Sequence, residues 1–227
     1  VNLGAAGSST NGTDYGSLSS ITVSAGATTG TATFDPTDDS VYEGNETAVI
    51  SISSVSGADA TESGSQSETI TITENDSSPT ITLASSASSI AENAGSSLTL
   101  TATSSIVADE DITVSISTTG TGTEGTDYST ISDITISAGQ TTGTASFTPT
   151  DDSVFEGNET GIVAISGVSG ADAAESGSQS VTITITDNET TAPKVTLSTS
   201  ATSIAENAGS SLTLTATLSV ATTADVT

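Results

Sequence analysis

The 227-residue sequence predicts an all-β chain of tandem β-sandwich repeats, each 113 to 114 residues long. The first observation is internal repetition at a fixed period, the mark of a modular chain. The run DDSVYEGNET at 38–47 returns as DDSVFEGNET at 151–160, and IAENAGSSLTLTAT at 90–103 recurs unchanged at 204–217. The second is strict alternation of Ile, Val and Leu with Thr and Ser, which puts the apolar side chains on one face of an extended strand. The third is the Gly-containing turns between those segments, which cut the unit into about seven short strands, as a sandwich requires.

The elements follow in order along one unit. Leu98, Leu100 and Ala102 alternate with Thr; Ile112, Val114 and Ile116 alternate with Thr and Ser. Ile134 and Ile136, then Ala145 and Phe147, keep the period of two. The apolar run Ile162 to Ile165 reads as a more deeply buried strand, and Val181, Ile183 and Ile185 close the unit. Turns fall at 118–125, 137–139 and 168–177. No segment sustains a period of 3.6, so no helix longer than about two turns is expected.

The boundaries follow from the repeat. Residues 1–78 read as a partial repeat lacking its first strands, 79–190 as a complete repeat, and 191–227 as the first strands of a further one. Thr227 aligns with Thr113 and Val1 with Val114, so the end of the chain meets its beginning in register. Two arrangements satisfy that register: a window on a longer tandem array, or a head-to-tail assembly in which 195–227 of one chain completes 1–78 of the next. In either case neighbouring repeats, or copies of the chain itself, are the expected partners.

Composition narrows function. The sequence holds 28 Asp plus Glu and one basic residue, Lys194, for a net charge of −27. Nucleic acids and anionic membrane surfaces need basic patches, so both are excluded as partners. There is no His, Cys, Met or Trp. Disulfides, thiolate or imidazole metal sites, and catalysis by His or Cys are therefore excluded. No apolar run approaches the roughly 20 residues of a membrane span. Glycoside hydrolysis by paired carboxylates is disfavoured, because the six aromatic residues sit at core-like positions and leave no platform for a sugar.

The acids are placed, not scattered. In the complete unit they are Glu92, Asp127, Asp151, Asp152, Glu156, Asp187 and Glu189; in the first partial unit, Asp14, Asp38, Asp39, Glu43, Glu74 and Asp76; in the last, Glu206. Strand ends of an antiparallel sandwich gather at two poles, so these carboxylates are expected to converge at one of them. Such an oxygen-only donor set suits Ca2+, which takes six to eight oxygens in irregular geometry. Glu62 and Glu175 read as surface residues, and Glu46 and Glu159 as exposed or supporting.

Asp127-Tyr128, the 151–159 loop and the closing Ile185-Thr186-Asp187-Asn188-Glu189 resemble the Calx-beta motif. The resemblance covers the complete unit and both partial ones. It implies a seven-stranded immunoglobulin-like sandwich with calcium at one pole, and by motif position it implies Glu92, Asp127, Asp151, Asp152, Glu156 and Asp187 as ligands. Their counterparts Asp14, Asp38, Asp39, Glu43, Glu74, Asp76 and Glu206 follow by the repeat. The expected function is a calcium-binding structural repeat of an extracellular or cell-surface fibre or giant adhesin, with no enzymatic activity. The other function weighed is a ligand-binding adhesin or calcium sensor in which the ion gates a partner.

Overall fold

A computed structural model describes residues 1–189, 191–207 and 209–227. The described residues contain strands and no helix, and no helix is long and apolar enough to cross a membrane. The first repeat contributes β1 (Asn2–Gly7), β2 (Val41–Tyr42), β3 (Glu46–Ser54) and β4 (Ser67–Ile72). The middle repeat contributes β5 (Thr80–Ser85), β6 (Ser89–Ala91), β7 (Leu98–Ser104), β8 (Val107–Ala108), β9 (Ile112–Gly120) and β10 (Ile134–Ile136). It continues with β11 (Thr142–Phe147), β12 (Val154–Phe155), β13 (Glu159–Ser169), β14 (Ala174–Glu175) and β15 (Ser180–Thr186). The chain ends with β16 (Val195–Thr199), β17 (Leu214–Leu218) and β18 (Ala221–Thr222).

The middle repeat is a two-layer sandwich. One sheet has the order β10-β9-β13-β15-β6 and the other β11-β7-β5-β14. Pairing is antiparallel except for the short strands β6 and β14, which lie parallel to β15 and β5. The alternating apolar residues fill the space between the layers: Ile81, Leu100, Ala102, Ile112, Val114, Ile134, Ile136, Phe147, Val163 and Ile183 are all buried. Tyr128 stacks on Phe147 with ring centroids 4.6 Å apart. Burial of such side chains, each worth about 1.5–3 kcal/mol, is what holds a core so poor in aromatics.

Register fixes what meets at the ends. Gly161 pairs with Gly120, Glu159 with Ile185, and Phe147 with Leu98. The end of β9, the start of β13 and the ends of β15 and β11 therefore share one pole. Gly120 turns the chain out of β9 there at φ 126°, and a Cβ on it would sit 2.1 Å from the Thr160 carbonyl. Gly7 repeats this geometry in the first repeat.

The first repeat has one sheet, β1-β3-β4, with the Tyr15–Phe34 stack beside it at 4.6 Å. Cavities of about 400 and 760 Å³ lie along it, lined by Phe34, Ile70 and Ile72 and by Val1, Ile21 and Val23. At the other end, β16 and β17 form a hairpin with its apolar side in solvent: Leu197 is 74% and Leu214 69% exposed. Consecutive repeats touch through short parallel bridges, β2 with β8 and β12 with β18.

Candidate metal centre

The chain leaving β11 must cross the pole to reach β13, and it carries Asp151, Asp152 and Glu156 on the way. β6 ends at Ala91 and delivers Glu92 beneath that crossing; the Glu92 N–H donates to the Thr186 carbonyl at 3.0 Å. Glu92 is 6% exposed, and its Oε1 accepts the Asp152 N–H at 3.1 Å. Asp127 is delivered by the turn after β9: its carboxylate accepts the Thr123 N–H at 2.6 Å, and its carbonyl accepts the Thr150 N–H at 2.9 Å.

The result is a connected set of carboxylates. Within each of three groups, carboxylate oxygens lie within 4.8 Å of one another: Glu92, Asp187 and Glu189; Glu92, Asp152 and Glu156; Asp127, Glu156 and Glu159. Glu92 and Glu156 each belong to two groups, so the three form one ribbon of negative charge. In the first repeat, Asp14, Glu43 and Glu46 form the corresponding group. Asp14 is 8% exposed and accepts the Thr10 N–H.

Electrostatics expresses the crowding. Burial, followed by the charges of Asp127 and Glu156, pushes Glu159 up to about 7. Burial, then Asp14 and Asp39, does the same to Glu43, also about 7. Glu156, Glu46 and Asp76 are raised for the same two reasons, burial first and neighbouring carboxylates second. Burial also raises Glu92, against the pull of the Asp152 N–H.

Two residues of the expected set play another part. Burial works to raise Asp187, but the N–H groups of Glu189, Gly157 and Glu156 hold it below the usual carboxylate range. Those bonds measure 2.7, 2.6 and 2.9 Å. Glu74 does the same in the first repeat, where the Asp76, Glu43, Asn75 and Gly44 N–H groups outweigh burial. Each is a stable anion that pins the acidic loop to the end of the last strand. Glu74 also lines a cavity of about 30 Å³ with Asp39, Glu43, Glu46 and Asp76.

Other expected ligands stand apart. Asp151 is exposed and lies outside the groups. Asp38 accepts the Asn75 side-chain amide at 2.8 Å, and Asp39 accepts the Val41 N–H at 2.8 Å, a turn role that Asp152 shares with Val154 at 2.7 Å. Glu206 is exposed in a turn beyond the hairpin strand β16. Conversely, Glu46 and Glu159, read from sequence as exposed or supporting, are half-buried members of the groups. Their recurrence 113 residues apart, directly after Gly-Asn, was the available signal. Glu62 and Glu175 lie outside the groups and accept the Gln66 and Gln179 N–H groups within their own loops.

The donor set fits a calcium ion. All donors are oxygens, the one basic side chain of the sequence is Lys194, and Glu189 Oε2 and Asn188 Oδ1 are buried without a hydrogen-bond partner among the described residues. Buried charge without an opposite charge or hydrogen bonds is costly, and a cation at this pole removes that cost.

A two-layer β-sandwich with carboxylates gathered at one pole, beside a first repeat that carries the corresponding acids, suits the binding of a cation. The family model of the Calx-beta domain matches residues 4–76 and again residues 74–189, and the chain belongs to that family. Calx-beta domains are calcium-binding modules. Among solved structures, the chain is similar to the apo form of the Calx CBD1 domain at 18% identity and a TM-score of 0.41, covering 48% of this chain and 98% of that one. It is also similar to CBD12 from CALX1.2 at 18% identity and a TM-score of 0.40, covering 44% of this chain and 42% of that one. No curated protein matches the chain.

Proposed function

We propose that this chain is a calcium-binding structural segment of an extracellular, cell-surface fibre or giant adhesin, in which calcium at each acidic pole stiffens the rod. The observation that carries the reading is the convergence of Glu92, Asp127, Asp152, Glu156, Glu159, Asp187 and Glu189 at the pole that leads toward the next repeat. In the first repeat, Asp14, Glu43 and Glu46 would hold the ion, with Asp39, Glu74 and Asp76 around the adjoining cavity. Outside cells calcium is millimolar, so modest affinity of the kind found in extracellular modules is enough. No catalysis is assigned: Tyr15, Tyr42, Tyr128 and Phe147 are buried and offer no platform to a substrate.

The same reading includes head-to-tail neighbours. Ile81, Leu83 and Leu100 are at most 7% exposed in the middle repeat, whereas their counterparts Val195, Leu197 and Leu214 are at least 55% exposed. The strands that cover such a face are the later strands of a repeat, and residues 1–78 hold such strands beside open cavities. A following stretch of a longer chain, or a second copy, supplies the cover.

Melting in chelator, in millimolar magnesium and in millimolar calcium tests the calcium claim. An ion that binds only the folded state raises the midpoint by mass action. The midpoint should be highest in calcium, since magnesium demands stricter octahedral geometry. Equal midpoints in all three would refute it.

A further inference from the structure

One loop occurs twice in the same shape, once with a strand beside it and once open to solvent. It reads SGADAAESGSQ at 169–179 and SGADATESGSQ at 56–66. Ala171 and Asp172 hold φ values of 50° and 48°, and Ala58 and Asp59 hold 50° and 52°, in the left-handed region that non-glycine residues rarely enter. The Ala173 N–H donates to the Gly170 carbonyl at 2.9 Å and the Ala60 N–H to the Gly57 carbonyl at 3.1 Å. Glu175 accepts the Gln179 N–H and Glu62 the Gln66 N–H. The Gln179 side-chain amide donates to the Ser176 carbonyl at 2.5 Å, and that of Gln66 to the Ser63 carbonyl at 2.7 Å. The loop therefore builds its own shape.

In the middle repeat the outer edge of this loop carries β5. The Ala174 N–H donates to the Pro79 carbonyl at 3.0 Å and the Ser176 N–H to the Ile81 carbonyl at 2.9 Å. Gln179 Oε1 accepts the Leu83 N–H at 3.3 Å. β14 and β5 thereby pair in parallel, Ala174 with Thr80 and Glu175 with Ile81. Ala171 is buried there and Ser176 and Gln179 half-buried, whereas their counterparts Ala58, Ser63 and Gln66 are exposed.

The strand that fits the open loop is β16. Pro193, Val195 and Leu197 stand where Pro79, Ile81 and Leu83 do, 114 residues on. β16 pairs with β17 as β5 pairs with β7, and all five of its residues are exposed. The first repeat and the β16–β17 hairpin are each tied to the middle repeat by their own bridge, so the partner of the loop is a second chain.

We propose that the 56–66 loop is a preformed docking edge for β16 of a second copy of this chain. The Thr61 N–H donates to the Pro193 carbonyl, the Ser63 N–H to the Val195 carbonyl, and Gln66 Oε1 accepts the Leu197 N–H. The loop also lines the cavity of about 760 Å³, through Ala58 and Ala60, which receives the apolar side of the hairpin. The inference rests on the head-to-tail neighbours proposed above and adds to them a register and the residue that reads it. Gln66 sets that register, because a slip of one residue would turn Val195 and Leu197 back to solvent.

Because the sequence has no cysteine, disulfide trapping in the full chain reads the register without background. Thr61→Cys with Lys194→Cys puts two thiols opposite each other between copies, at a spacing that a disulfide spans. Thr61→Cys with Ser198→Cys is offset by about 13 Å along the strand, out of its reach. Oxidation with copper phenanthroline at physiological ionic strength should give a ladder of linked chains on a non-reducing gel for the first pair and monomer for the second. Adding Gln66→Leu to the first pair should raise the protein concentration needed for that ladder ~10-fold, since the Leu197 N–H loses its acceptor. Gln66→Glu, which keeps an acceptor oxygen and gives up the bond to Ser63, should link as readily as the unsubstituted loop. A ladder from the offset pair, a disulfide closed within one chain, or a Gln66→Leu ladder equal to the parent's overturns the proposal. So does a Gln66→Glu ladder as weak as that of Gln66→Leu, which would give Gln66 a part in the loop alone. Oligomers in light scattering with no ladder from either pair overturn the docking edge and leave the head-to-tail reading standing; monomer at all concentrations removes both.

Discussion

At the scale of single residues, the pole is a set of carboxylates divided between two tasks. Asp187 and Glu74 spend their charge on backbone N–H groups and stay ionised. Glu43 and Glu159 face other acids and rise to about 7. The second pair sets a pH dependence with a definite sign. A carboxyl whose folded pKa lies above its ordinary 4.5 binds more protons folded than unfolded, so its contribution is full below about 4.5 and is lost as pH rises through about 7. In chelator, the melting midpoint should therefore fall between pH 5 and pH 8. In calcium the fall should be smaller, because the ion takes the place of the protons. A midpoint in chelator that stays level or rises across that window would contradict the assignment. The lowered pair acts oppositely, losing its contribution only as pH drops below the usual carboxylate range.

At the scale of elements, the strands were legible because apolar alternation and burial coincide: Ile134 and Ile136, or Ile183 and Ile185, fill the core as their period of two requires. The short parallel strands β6 and β14 were not legible. A three-residue strand shows no period, and its pairing depends on partners about 95 residues away, such as Thr184 with Ser89. The acidic pole was legible from the repeat, but the division of labour within it was not. Whether Glu159 or Asp151 points inward depends on how β13 pairs with β15, which spacing in the sequence does not reveal. The Tyr128–Phe147 stack links core to pole, because Asp127 precedes Tyr128 and its carbonyl accepts the Thr150 N–H. Phe147→Ala should cost about 3–5 kcal/mol through the cavity it leaves, read by denaturant unfolding in chelator. A loss under about 1 kcal/mol would mean that the stack does not carry the core.

At the scale of the whole molecule, the chain has one closed sandwich, preceded by a sheet with cavities beside it and followed by a hairpin with its apolar side exposed. In the proposed head-to-tail arrangement, the exposed apolar side of the β16–β17 hairpin would meet the cavities beside the β1-β3-β4 sheet of the next copy. Exposed strand edges and apolar patches invite pairing. Light scattering on a dilution series should show concentration-dependent oligomers, and Leu197→Ser with Leu214→Ser should abolish them while the main melting transition stays in place. A monomer at all concentrations, with or without the substitutions, would remove self-association from the account. The central claim remains the ion, and a crystal structure of this chain grown in calcium chloride tests it most directly. The account predicts density between Glu92, Asp152 and Glu156 and between Asp127, Glu156 and Glu159, with oxygen distances of about 2.3–2.6 Å. Carboxylates splayed apart with only water between them, at millimolar calcium, would contradict it.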